Sequence, residues 1–411
     1  KVDTLQFDEV KLRIGANFTQ QFQSLKHSNS DNMVNEVNTN ELYDLAPGFN
    51  LAMANLNIDV QIADGVRVSL VSYMSTRHHN EFWVKGGYFQ IDKVGFLHNE
   101  FMNDLWKNLT LKIGHMEINY GDAHFRRSDG GNALYNPFVE NNIMDAFTTE
   151  IGGELYWQKA GFIAMGGITD GEINGSVTKA SDRKPSFYGK VGYDKTFDDG
   201  KRFRLTGSMY TTKSSISNTL YGGDRAGSRY YMVMEPLTAT AAANAFSGRI
   251  NPGFKDNITA FVINPFIKIK GVEVFGTYEI AKGNNQLENG EIQSTDPLHS
   301  ALTKSGQRSF TQFAVDALYR FAGDRMYIGG KYNVVDGTLA FGQSTTQPNL
   351  SQGVYDNVKI ERTAIAAGWF VTRNILMKAE YVTQKYKDFP TADIRSNGKF
   401  EGWVIEGIIG F

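Results

Sequence analysis

The stretch Gly402-Trp403-Val404-Ile405-Glu406-Gly407-Ile408-Ile409-Gly410-Phe411 decides the fold. Its odd positions, Trp403, Ile405, Gly407, Ile409 and Phe411, make one apolar face, and its even positions include Glu406. A period of two with one apolar face is a β-strand signal. The residue steps from 403 to 411 cover roughly 26 Å of strand at about 3.3 Å each, or roughly 20 Å along a membrane normal at a tilt of about 40°. That is close to the ~25 Å apolar band of a barrel embedded in lipid. With nothing after Phe411 to cover this face, the stretch reads as a closing strand whose free edge pairs with the first strand, since lipid tolerates no open sheet edge. The competing reading, the last strand of a soluble sandwich, needs a second sheet over the same face.

Working outward, the pattern repeats along the chain. Residues 10–22 place Leu12, Ile14, Ala16 and Phe18 opposite Arg13, Gly15, Asn17 and Thr19, and a polar stretch, 24–45, follows as a long loop. Ala52, Ala54, Leu56, Ile58, Val60 and Ile62 form the next apolar face, and Ala63-Asp64-Gly65 returns it as a tight hairpin into Val66, Val68 and Leu70. A strand near 83–93 leads, past a connection that includes 103–108, to Leu109, Leu111 and Ile113. After the aperiodic segment 118–148, Thr149, Ile151, Leu155 and Trp157 alternate with Glu150 and Glu154. Long and short connections then alternate to the end of the chain, giving about sixteen antiparallel strands. In the loop 212–257, Pro236 before an Ala-rich run predicts a short helix. Near 360–370 both parities are apolar, so the facing of Glu361 and Arg362 stays open.

The expectation is an all-β fold: one transmembrane antiparallel β-barrel domain over 1–411, with long extracellular loops, short periplasmic turns and both termini periplasmic. Composition agrees. A chain of 411 residues without a linker or charge block suits a barrel wall, and 42 Gly, 19 Tyr and 28 Phe suit many turns and aromatic girdles. The absence of Cys excludes disulfide, zinc-cluster and Cys-nucleophile chemistry. A mean hydropathy of −0.35 looks soluble, but a polar lumen face lowers the average. No apolar run reaches the length of a transmembrane helix. Lys1 in place of Met is read as the trace of a removed signal peptide. The net charge of −2 disfavours nucleic acid.

Chemistry-bearing candidates concentrate in 118–148, where Asp122, His124, Arg126 and Arg127 lie near Asp129 and Glu140. On the strand registers Arg13, Arg67, Lys112, Arg204, Arg320 and Lys331 face the lumen, and lumen acids balance the bases, so no single-sign lining follows. Arg225, Arg229 and Arg249 could add positive charge near the mouth, although loop arginines are more often solvated or pinned to neighbours. Asp170-Gly171-Glu172 opens like a calcium loop, yet Ser181 stands where a bidentate Glu belongs. His78-His79 reads as a solvated pair. No serine-elbow, paired-histidine zinc or phosphate-loop motif occurs, so neither enzyme nor cofactor is expected.

The strand count, the loop order and the segment Tyr120-Gly121-Asp122-Ala123-His124-Phe125-Arg126-Arg127 resemble sixteen-stranded bacterial outer-membrane porins, most closely the broad group that includes the phosphate-selective O/P type. The closing strand and its terminal Phe411 likewise resemble the signal read by the barrel-assembly machinery. The resemblance implies a third loop folded into the lumen, a constriction built from Asp122, His124, Arg126, Arg127, Asp129 and Glu140, and a homotrimer in the lipid bilayer of a Gram-negative outer membrane. The implied function is a water-filled channel for passive transport of ions and small hydrophilic solutes. Opposed charges in a narrow throat sort ions because the field there is poorly screened. The alternatives are a plugged barrel that docks into a larger outer-membrane complex and, more remotely, a barrel hydrolase whose Ser, His and acid come together across strands.

Overall fold

A computed structural model of the chain describes residues 7–78, 81–171, 184–198, 200–215, 218–284, 307–341 and 354–411. Period-two patterning becomes sixteen wall strands. The first eight are β1 (Lys11–Ser28), β2 (Gly48–Ala63), β3 (Val66–Met74), β4 (Trp83–Ile91), β5 (Leu109–Glu117), β6 (Thr149–Lys159), β7 (Phe162–Thr169) and β8 (Ser186–Thr196). The second eight are β9 (Arg202–Thr212), β10 (Asp256–Ile269), β11 (Val272–Asn284), β12 (Arg308–Phe321), β13 (Met326–Phe341), β14 (Val354–Thr372), β15 (Ile375–Lys387) and β16 (Lys399–Gly410). Each pairs antiparallel with its sequence neighbours, and β1 pairs with β16 to close the barrel. Phe18 opposes Ile409 and Phe22 opposes Ile405. At the seam Ala16 and Phe411 exchange two backbone hydrogen bonds of 3.0 Å each.

On the closing strand Trp403, Ile405, Ile409 and Phe411 stand exposed on the outside, whereas Val404, Glu406 and Ile408 are buried inside. The same outward apolar row continues round the wall through Leu12, Ile14, Ile151, Phe187, Phe261, Phe313 and Ile365. An apolar belt this continuous is too large for water and is matched by lipid. The connections are short at one end. Ala160-Gly161 and Lys270-Gly271 both adopt positive φ at the two central positions, the geometry whose twist suits a two-residue hairpin.

Several local expectations give way to tertiary context. β1 runs on to Ser28, beyond the predicted 22, because its end is held by β16 through pairs such as Ser28 with Lys399. The first loop carries a small hairpin, Met33–Val34 with Val37–Asn38, that alternation over two residues could not announce. A helix, Glu100–Trp106, occupies the short-end connection after β4, capped by Asn99, whose side chain accepts from the Met102 N–H at 3.0 Å. The helix predicted after Pro236 does not form. That stretch is a series of turns, and Asn244 caps one of them by accepting from the Thr240 N–H at 3.1 Å. Residues 172–183 of the calcium-like loop, and His79, lie outside the described residues.

The core sits inside the barrel. Segment 118–148 of the third long loop, and 213–215 and 218–255 of the fifth, enter the lumen from the long-loop end and pack Phe138, Val139, Ile143 and Met144 against Leu220, Tyr230, Val233 and Ile250. The lumen side of the wall is consequently apolar where the loops touch it, as at Val358, Ile360, Ala364 and Ala366 of β14. This contact explains the double-parity apolarity of 360–370. Arg362 faces inward and donates to the carbonyls of Asn141 at 2.8 Å and Gly248 at 2.7 Å. Glu361 faces outward, between Lys359 at 3.1 Å and Lys387 at 2.7 Å.

Candidate functional site

The third loop is fastened to the wall by its backbone as it crosses the lumen. Beyond β5 the Asp122 N–H donates to the Asn264 side chain on β10 at 2.8 Å. Farther along, the Val139 N–H donates to Glu380 on β15 at 2.8 Å, Ile143 to Asn333 on β13 at 2.7 Å, and Met144 to Gln312 on β12 at 2.9 Å. Lumen side chains on wall strands thus satisfy loop N–H groups that a helix or sheet would otherwise have served. The fifth loop joins it: the Phe147 N–H donates to the Leu220 carbonyl at 2.7 Å, and Ile250 to Ile143 at 2.9 Å. It then reaches β1, where Gln21 and Gln23 donate to the carbonyls of Arg229 at 2.7 Å and Tyr231 at 2.9 Å.

The six residues expected in a constriction divide into two groups. Arg127, Asp129 and Glu140 are buried between the loops. Arg249 of the fifth loop donates to Asp129 at 2.5 Å and to Glu140 at 2.8 Å, and its other nitrogen lies 3.3 Å from Asp145. Arg127 pairs with Asp129 at 2.9 Å and with Asp145, and its guanidinium lies 4.3 Å from the Phe147 ring centre. Glu140 also accepts from the Arg229 N–H at 2.7 Å and from the Ser228 hydroxyl. Arg229 pairs with Glu406 at 2.6 Å, and Glu406 is also held by Lys378 at 2.9 Å. Arg229 and Arg249 are therefore interior pins rather than groups at the mouth. Burial opposes ionisation of Asp129, but Arg127, Arg249 and Lys85 outweigh it and hold the carboxyl well below the usual range.

Asp122 and His124, themselves buried, and the partly exposed Arg126 line clefts on the short-turn side of the loop. Asp122 accepts from Arg204 at 2.7 and 2.9 Å, Lys190 at 2.9 Å and Thr206 at 2.7 Å. Burial again opposes its charge, and the Arg204 hydrogen bonds with the Lys190 and Arg204 charges prevail, keeping the carboxyl low. His124 is held between Glu117 at 3.1 Å and Asn119 at 2.9 Å. Arg126 pairs with Asp316 on β12 and lies 4.1 Å from the Phe275 ring centre.

Two clefts flank this point. One, of about 580 Å3, is lined by Arg13, Arg67, Lys112, His124, Lys190 and Arg204 together with Asp59, Asp92 and Glu117. The other, of about 450 Å3, collects Arg126, Arg202, Arg204 and Arg320 around Phe125, Phe266 and Phe275. Of the wall bases, Arg13, Arg67, Lys112, Arg204 and Arg320 line a cleft, while Lys331 is buried beside Phe138 and Asp316. Arg202, Phe266 and Phe275 went unremarked in the sequence although their parity places them inward. For Phe125 the sole signal was its place between His124 and Arg126.

Solved structures share this architecture. The fold is that of the sixteen-strand outer-membrane porins. An anion-selective porin from Comamonas acidovorans superposes with a TM-score of 0.55 at 9 % identity, covering 98 % of this chain and 100 % of that one. The outer-membrane channel DcaP of Acinetobacter baumannii gives 0.54 at 10 % identity, covering 98 % and 97 %. OmpT of Vibrio cholerae, in its trimer form, gives 0.53 at 11 % identity, covering 98 % and 100 %. No protein-family model matches the sequence, and no curated protein matches it.

Proposed function

We propose that this chain is an outer-membrane porin, a channel through which ions and small hydrophilic solutes diffuse passively. The observation that carries the reading is a closed barrel with an apolar outside whose lumen holds charged clefts on the short-turn side of an inward-folded third loop. Asp122, His124 and Arg126 are its constriction residues, with Arg127, Asp129 and Glu140 fixing the loop that carries them. Both termini lie on the periplasmic side, Phe411 is the handle for the barrel-assembly machinery, and the assembly is a homotrimer. The trimer form of the Vibrio cholerae barrel and the anion selectivity of the Comamonas porin support the last point and the sign of the pore. Anion preference, and with it the narrower kinship to the phosphate-selective O/P group, is supported by Arg13, Arg67 and Lys112 on one cleft wall.

Planar-bilayer recording in a salt gradient tests this. Stable ohmic steps with an anion-selective reversal potential are expected, and Arg67→Ala/Lys112→Ala shifts that potential toward cation preference. A second reading has one observation behind it. The buried ion-pair layer joining the third and fifth loops suits a plug, which makes the barrel a docking subunit of a larger complex. Silent bilayers, together with a stoichiometric partner co-purified from native membranes, would replace the first reading with the second.

A further inference from the structure

The smaller cleft has a composition that a general diffusion pore does not require. Phe125, with 52 % of its surface exposed, and Tyr135, with 69 %, leave large rings open to the lumen interior. Guanidinium groups lie over neighbouring rings: Arg126 over Phe275 at 4.1 Å, Arg202 over Phe266 at 5.7 Å and Arg204 over Phe125 at 5.8 Å. The nearby carboxylates are each divided between two cations. Asp194 serves Arg202 and Arg204, Asp122 serves Arg204 and Lys190, Asp316 serves Arg126 and Lys331, and Glu273 serves Arg320 and Lys268, of which Lys268 alone also has a further carboxylate, Asp324, at 3.0 Å; seven cations thus face five carboxylates. Positive charge is therefore left over beside open aromatic surface.

We propose that this cleft is a binding site for planar aromatic monoanions, with a carboxylate held by the terminal nitrogens of Arg320, whose Nε donates to Glu273 at 2.8 Å, and by the third nitrogen of Arg202, whose other two donate to Asp194 at 2.9 and 2.7 Å, and with the ring placed among Phe125, Phe266 and Phe275. A guanidinium fork matches a carboxylate and stacks on a ring face, so a flat aromatic acid extends the alternation of rings and guanidinium planes already present. A small inorganic anion uses the charge and leaves the rings wet. A cation meets carboxylates that are already shared. The volume of about 450 Å3 is in the range of small-molecule sites and exceeds what a bare ion needs. The site deepens the channel reading, as a resting place for one solute class on its path.

The test reads binding apart from conduction. Benzoate, cyclohexanecarboxylate and benzyl alcohol are titrated calorimetrically into the purified full chain in detergent, for wild type, Phe125→Leu and Arg320→Gln, each first shown to be folded by its heat-modifiable gel mobility. Benzoate is expected to bind about fivefold more tightly than cyclohexanecarboxylate, which carries the charge without the ring, and than benzyl alcohol, which carries the ring without the charge. Each variant is expected to weaken benzoate by about fivefold. Equal affinity for the three probes, or a benzoate affinity unmoved by both variants, overturns the site. Benzoate is also added in bilayers, where it is expected to lower the current of a conducting channel. Binding in detergent with silent bilayers sinks the channel reading and leaves the site standing; conduction without binding does the reverse.

Discussion

At the scale of single residues, the lumen holds charges that water has left, and each survives through its partners. Arg249 is the clearest case, because one guanidinium contacts Asp129, Glu140 and Asp145 together and shares two of them with Arg127. Taking one member from a buried ionic group costs about 3–5 kcal/mol, since the remaining charges stay dehydrated and unpaired. Arg249→Ala is therefore expected to lower the temperature of heat-modifiable unfolding and to produce larger, noisier current steps as the two loops separate. Unchanged melting and current would show that the pairing is idle. Acid should act on the carboxylates that anchor the third loop, Asp129 beside Arg249 and Asp122 beside Arg204 and Lys190. The Asp122 and Asp129 carboxyls are held below their unfolded value of about 3.9, so their contribution is complete above that value and is lost as pH falls through the lower folded value. The loop contacts of these two carboxyls are expected to hold from about pH 7 to pH 4 and to loosen only in stronger acid, seen in a bilayer titration as current steps that stay quiet over that range and turn noisy below it.

At the scale of elements, the third and fifth loops behave as one inserted body, joined through Phe147 with Leu220 and Ile143 with Ile250. Thr148 and Thr219 bring their hydroxyls to 3.0 Å across this junction. Because the sequence has no Cys, Thr148→Cys/Thr219→Cys creates one defined pair whose thiols stand where the two hydroxyls meet. Oxidation is expected to stabilise the barrel by about 2–4 kcal/mol, read as a higher melting temperature, without altering conductance. A fall in current on oxidation would mean that conduction needs the loops to part. The loops also mark where the sequence ceased to be readable. The wall was legible because lipid demands apolar residues at every second position, as from Trp403 to Phe411. The interior was not, since Arg229 and Arg249 sit in a segment with no period and find their carboxylates through contacts far along the chain. Ile360 and Ala364 were ambiguous for the same reason: an apolar lumen face has meaning only once a loop covers it. The candidate site was half legible. Asp122, His124 and Arg126 were in view, whereas the cleft's Arg202, Phe266 and Phe275 come from three separate strands.

At the scale of the whole molecule, closure joins the two ends of the chain through a single seam. β1 and β16 pair from Asn17 with Gly410 to Ser28 with Lys399, and Phe411 adds two hydrogen bonds to Ala16 while its ring projects outside. The seam is geometrically ordinary, so the side chain of Phe411 contributes little to holding it. On the proposed reading, the exposed Phe411 ring serves recognition during assembly and adds little to packing in the finished barrel. Two measurements on Phe411→Ala separate these roles. Refolding from urea into detergent, followed by heat-modifiable mobility, is expected to succeed as for wild type, with a loss no larger than the ring's transfer out of water, about 1.5–3 kcal/mol, because no cavity is left behind. Folded protein recovered from outer membranes in cells is expected to fall severalfold. If refolding in detergent fails as badly as assembly in cells, the ring serves the seam itself. If neither changes, recognition rests on the alternation of Trp403, Ile405 and Ile409 rather than on the terminal residue.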